Sequence, residues 1–240
     1  MIKLLIIIEI LRNLNYLSEI LPFFFCLLFF KKINSKETKV FFIYTIVSLL
    51  LFISSFLAAK FYPEYLYITV SISLVVQFII LSILYFNILR NSKIKKLITL
   101  GTIAYIFFWL YNFLKSSFTD LNTTPFAVEC IFFTFLIVYY FYEIMRYSLD
   151  TQLFELPSFW ISVAFLINFS GTFIVFLSGK SLINEFESQY TVIVCTITII
   201  KNILLCTAVI ANKSLIVPKN HSSLPSDLDL DNFQPLNNKH

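Results

Sequence analysis

The run Pro157–Ser178, PSFWISVAFLINFSGTFIVFLS, decides how this chain must fold. It is apolar for long enough to cross a bilayer as a helix, which takes about 20 residues at about 1.5 Å of rise each. At about 100° per residue, Ser158, Ser162, Asn168, Gly171 and Thr172 share about half of the helix circumference. Lipid tails give no hydrophobic force between helices, so helices there associate through close backbone approach at small residues. The Ser162, Gly171 and Thr172 side is therefore expected to pack against a neighbouring helix, with Ala164 off that face.

Outward from this run the chain repeats the same kind of segment. Spans of bilayer length are expected at about 13–30, 40–59, 66–89, 97–114 and 126–145, then at 158–178 and 190–211. None alternates in polarity as a barrel strand does. Only helices and closed barrels satisfy their backbone groups in lipid, so an all-α, polytopic bundle of seven transmembrane helices follows. Composition agrees: 58% of residues are hydrophobic and 13% charged, and the mean hydropathy is +0.83. A water-exposed domain carries about 25% charged residues, so the bilayer itself is the first partner. A nucleic-acid partner is not expected.

Residues 1–12 resemble the start of a signal peptide without a cleavage site, and are expected as an uncleaved extension or interfacial piece before the first span. Pro22 is expected to bend that span. Residues 212–240 are rich in Asn, Ser, Pro and Asp and read as a disordered cytoplasmic tail. Lys31, Lys32, Lys36 and Lys39 fall between the first two spans, and Arg90, Lys93, Lys95 and Lys96 between the third and fourth. Arg146, Lys213 and Lys219 lie on the same side. The other side holds Lys60, Lys115 and Lys180 singly among Glu64, Asp120, Glu185 and Glu187. The positive-inside rule then puts the N-terminus outside and the C-terminus in the cytoplasm, in the inner (plasma) membrane.

Polar groups inside spans are expensive and mark candidate sites. They are Glu19, Gln77, Glu129, Asn168 and the adjacent Lys201 and Asn202. Lys201 lies about 16 Å deep and Glu19 about 10 Å, a difference that a flexible lysine stem covers. Glu19 is therefore an expected partner for Lys201, with Glu129 as one alternative and hydrogen bonds to carbonyls and water alone as another. Glu143 and Arg146, three apart, are expected to pair at the membrane surface. The face Glu129, Leu136, Tyr140, Glu143 and Arg146, with Tyr139 beside it, either lines a hydrated cavity or bonds to other helices.

Catalytic, metal-binding and cofactor residues are not identified. Both histidines, His221 and His240, lie in the tail, and Cys26, Cys130, Cys195 and Cys206 sit singly in apolar runs. Seven helices with a lysine in the last one resemble a microbial rhodopsin. The third span, however, has no acid, and Ile197 stands one turn before Lys201. Pro157–Thr172, Glu19–Pro22 and Lys201–Leu205 together resemble an uncharacterised group of seven-helix membrane proteins of Bacteroidetes. Members of that group are often encoded near sensor histidine kinases. The resemblance implies a signalling neighbourhood and assigns no active residue. Together with polar groups in the outer half and basic inner loops, it makes a receptor-like or accessory component of membrane signalling the expected function, with a sensor kinase or another cytoplasmic signalling protein as partner. A small transporter or lipid-handling carrier is the alternative, followed by an intramembrane lipid-modifying enzyme.

Overall fold

The computed structural model describes residues 2–29, 35–115, 124–147, 153–177 and 187–211. The expected tail and Lys31, Lys32, Asp120, Lys180, Glu185, Lys213 and Lys219 lie outside them. The described residues form seven helices and no strand. These are α1 (Ile2–Leu28), α2 (Lys36–Phe61), α3 (Leu66–Ile88), α4 (Ser92–Lys115), α5 (Thr124–Tyr147), α6 (Pro157–Leu177) and α7 (Glu187–Ile210). Short 3₁₀ turns occupy Pro63–Tyr65 and Leu153–Glu155.

Helices α2 to α7 are all long and apolar enough to cross a membrane. The remaining helix, α1, is the longest at 27 residues, but Glu9, Arg12, Asn13, Asn15 and Glu19 make it more polar. It continues unbroken through the segment expected as a separate extension. The physical reason is local: no proline or glycine occurs between Ile2 and Leu21 to interrupt the backbone bonds. Pro22 is accommodated within the helix.

Helix ends follow ordinary punctuation. The Ser35 Oγ accepts from the Thr38 N–H at 3.1 Å and starts α2. Pro63 follows its end, and Pro157 occupies the first position of α6, where a missing N–H costs nothing.

Contacts arrange the helices as a ring. In order, α1 touches α2, α2 touches α3, α3 touches α5, α5 touches α6, α6 touches α7, and α7 returns to α1. The last helix thus lies beside the first. Helix α4 sits outside the ring against α3 and α5, where Leu100, Phe107 and Leu114 are exposed. It is held by Trp109, whose Nε1–H donates to the Ser71 carbonyl at 3.1 Å and hydroxyl at 3.0 Å. Tyr105 stacks on Phe78 at 3.7 Å between centroids. Gly101 is a close approach the sequence reading did not single out: a Cβ there would lie 2.6 Å from the Phe132 ring.

Lys36, Lys39, Arg90, Lys93, Lys96 and Arg146 are exposed at one end of the bundle, called here the basic end. The core is concentrated in that half. Leu81, Leu84, Tyr85, Leu89, Leu136 and Ile137 are completely or almost completely buried there.

The small side of α6 is a packing face, as expected. A Cβ on Gly171 would lie 2.6 Å from the Ile197 Cδ1 of α7, and Ser162 and Thr172 are buried. Ala164 is a correction. Expected off that face, it is fully buried, because Phe165 and Phe169 bring a second side of α6 into the core with Tyr44 and Phe133. Overpacking either position costs about 1–3 kcal/mol. Gly171→Leu and Ala164→Leu should both lower thermal stability in detergent by that amount. Ile174→Ala, at a position 64% exposed, should change it by less than about 0.5 kcal/mol. Equal melting of all three variants would show that α6 is not packed on both sides.

Candidate binding cavity

Two neighbouring residues on α1 meet two neighbouring residues on α7. The Lys201 Nζ lies 3.4 Å from the Glu19 Oε1, and the Asn202 Nδ2–H donates to the Ser18 Oγ at 3.0 Å. The Ser18 hydroxyl in turn donates to the Asn15 carbonyl at 2.8 Å. The parallel course of α1 and α7 sets the register, so Lys201 reaches Glu19 and not Glu129. The two charged side chains are only 10% and 14% exposed.

The ion pair forms one wall of a partly open cavity of about 210 Å³ enclosed by α1, α2, α3 and α7. Helix α2 presents Tyr44, Ser48, Leu51 and Ser55 to it, a spacing of four, three and four that keeps them on one helix face. Helix α3 presents Ser73, Gln77 and Ile80 on the same principle. The Ser73 proton is spent on the Thr69 carbonyl at 2.8 Å, which leaves its oxygen free to accept. Towards the basic end the lining stops at Tyr44, Ile80 and Lys201. Beyond it come the buried Phe41, Leu84, Tyr85 and Ile88. The cavity is therefore blind on that side.

The other candidates fall elsewhere. Glu129 is completely buried, and neither carboxyl oxygen has a hydrogen-bond partner among the described residues. Asn168 is half-buried on α6, and its carbonyl accepts from the Thr172 hydroxyl. Neither lines the cavity. Of the rest of the α5 face, Tyr140 bonds to a neighbouring helix, and a second hydroxyl pair joins α3 to α6. The Tyr140 hydroxyl is 3.0 Å from the Ser158 hydroxyl, and Tyr85 of α3 reaches Ser162 at 3.4 Å.

Glu143 serves a different purpose from the expected surface pairing. Its carboxylate accepts the Arg90 and Asn91 N–H groups at 3.0 and 3.1 Å. Asn91 caps α4 by accepting the Lys93 N–H at 2.9 Å, and its Nδ2–H donates to the Tyr139 hydroxyl at 2.7 Å. An anion at a helix N-terminus is favoured by the unpaired amides there. The Arg146 guanidinium lies 3.4 Å from the Tyr142 hydroxyl, to which it donates.

Sequence reasoning missed Ser18 and the α2 hydroxyls. Tyr44, Ser48 and Ser55 carry a usable signal, the helical spacing just described. Ser18 carries none, since it looks like any serine in a span. All four cysteines are buried free thiols. Among the described residues no three His, Cys, Asp or Glu side chains gather as metal ligands. No family model, no curated protein and no solved structure matches the chain.

Proposed function

We propose that the chain is a seven-span inner-membrane protein, N-terminus outside and C-terminus cytoplasmic, acting as a receptor-like or accessory component of signalling. On this reading a small polar solute enters the cavity from the external half. The output passes through the basic cytoplasmic end to another protein. The observation that carries it is the blind cavity: charged and hydroxyl groups line it, and a dense core closes it on the basic side. An outward-facing carrier would present the same closed far side, so uptake of the solute is what separates the two readings. The positive-inside rule supplies the orientation. The resemblance to the Bacteroidetes group supports a sensor kinase as the partner at the basic end.

Reporter fusions test the orientation. Fusions after Lys36, Lys95 and Lys219 should read cytoplasmic and one after Asp120 external; an external signal at Lys95 would reverse the assignment. The functional reading is tested by purification in mild detergent together with proteoliposome assays. A sensor kinase should co-elute, and a bound solute should show no uptake. Concentrative uptake or exchange of that solute would replace the receptor reading with a transporter.

A further inference from the structure

We infer that the cavity takes a small zwitterion of the free aliphatic α-amino acid class, held by insertion between the Lys201 ammonium and the Glu19 carboxylate. The inference rests on the reading of this cavity as a binding site, and adds to it the class of ligand. Three observations lead to it.

The first is charge. The cavity lining includes one cation and one anion, Lys201 and Glu19. A ligand with a single net charge would compensate one of them and strand the other in a low-dielectric site. A zwitterion offers a carboxylate to Lys201 and an ammonium to Glu19, so both remain compensated. The second is the pair's geometry. Its one contact is 3.4 Å long, at the loose end for a charge-assisted bond, which has its optimum near about 2.8 Å. An ammonium has three protons and a carboxylate two oxygens, and no other hydrogen bond engages either group among the described residues. The pair is thus under-bonded, and the lysine stem is long enough to open it.

The third is the shape and polarity of the space. At about 30 Å³ per water, about 210 Å³ suits a molecule of fewer than about ten non-hydrogen atoms. Ser48, Ser73 and Gln77 supply further polar contacts near the pair. Val47, Leu51, Phe52 and Ile80 supply an apolar wall, fitting an aliphatic side chain.

Leucine is the probe, titrated calorimetrically into the purified full chain in lipid nanodiscs. Its two half-molecules, 3-methylbutylamine and 4-methylpentanoate, are titrated in parallel. Leucine should bind at least tenfold more tightly than either half. Glu19→Gln and Lys201→Met should each abolish this preference. Because those variants also disturb the bundle, Leu51→Trp provides the second test: it fills the cavity, leaves the ion pair in place, and should remove leucine binding. Equal or tighter binding of one half-molecule, lost in Leu51→Trp, would overturn the zwitterion assignment and leave the cavity as a binding site. Absence of binding by all three probes, or binding undiminished in Leu51→Trp, would overturn both.

Discussion

Lys201→Met is expected to destabilise the protein by about 3 kcal/mol, the low end of the range for stranding one member of a buried ion pair. The low end applies because both side chains also face the cavity, where water can solvate the survivor. Glu19→Gln should cost a similar amount, leaving the Lys201 ammonium without its acid. The double variant should lose less than the sum of the two, by a coupling of about 0.5–3 kcal/mol. Thermal or denaturant unfolding in a fixed detergent measures all four corners of the cycle. Strictly additive losses would show that the 3.4 Å contact holds no energy. Asn202→Ala serves as a neighbouring control. It removes a neutral bond to Ser18, worth about 1 kcal/mol, and should leave the Lys201–Glu19 coupling intact.

Glu129→Leu should act in the opposite direction. Both carboxyl oxygens are buried without a partner among the described residues, and so is the Tyr105 hydroxyl. An unsatisfied buried polar group carries a desolvation penalty of about 1–3 kcal/mol, larger when ionised. Leucine has a similar volume and no polar atom, so the substitution should raise stability by about 1–3 kcal/mol. Glu129→Gln keeps the polarity and removes the charge, and should recover only part of that gain. A fall in stability for Glu129→Leu would mean that the carboxyl is satisfied inside the bundle by water or a bound ion.

The legible part of this structure was what the bilayer enforces. Long apolar runs have one way to satisfy their backbone groups in lipid, so the helices could be read directly. A lysine in the middle of such a run needs a counter-charge, and depth along each helix pointed to Glu19 as a partner. Less was visible where a contact joins distant helices through small groups. Ser18 gives no sign of receiving Asn202, and Glu143 caps α4 from about 50 residues away. Amphipathic analysis also failed for Ala164, because α6 is buried on more than one side. Glu129 stood out in the sequence as an acid inside a span. Its isolation did not, since polarity along one helix does not reveal what the facing helices withhold.

The hydrogen bonds of Glu143 make the basic end stiff in a particular place. The turn at 89–91 between α3 and α4 is only three residues long, and the foot of α5 grips its amides while Tyr139 holds the Asn91 side chain. Three helices are thereby bolted at one joint. The lysines at 93, 95 and 96 stand on the first turns of α4, directly beyond that bolt. The joint thus sets where the backbone carries these charges. On the proposed function, a tilt of α3 at the cavity would move these lysines together, because the joint ties the foot of α3 to α4 and α5.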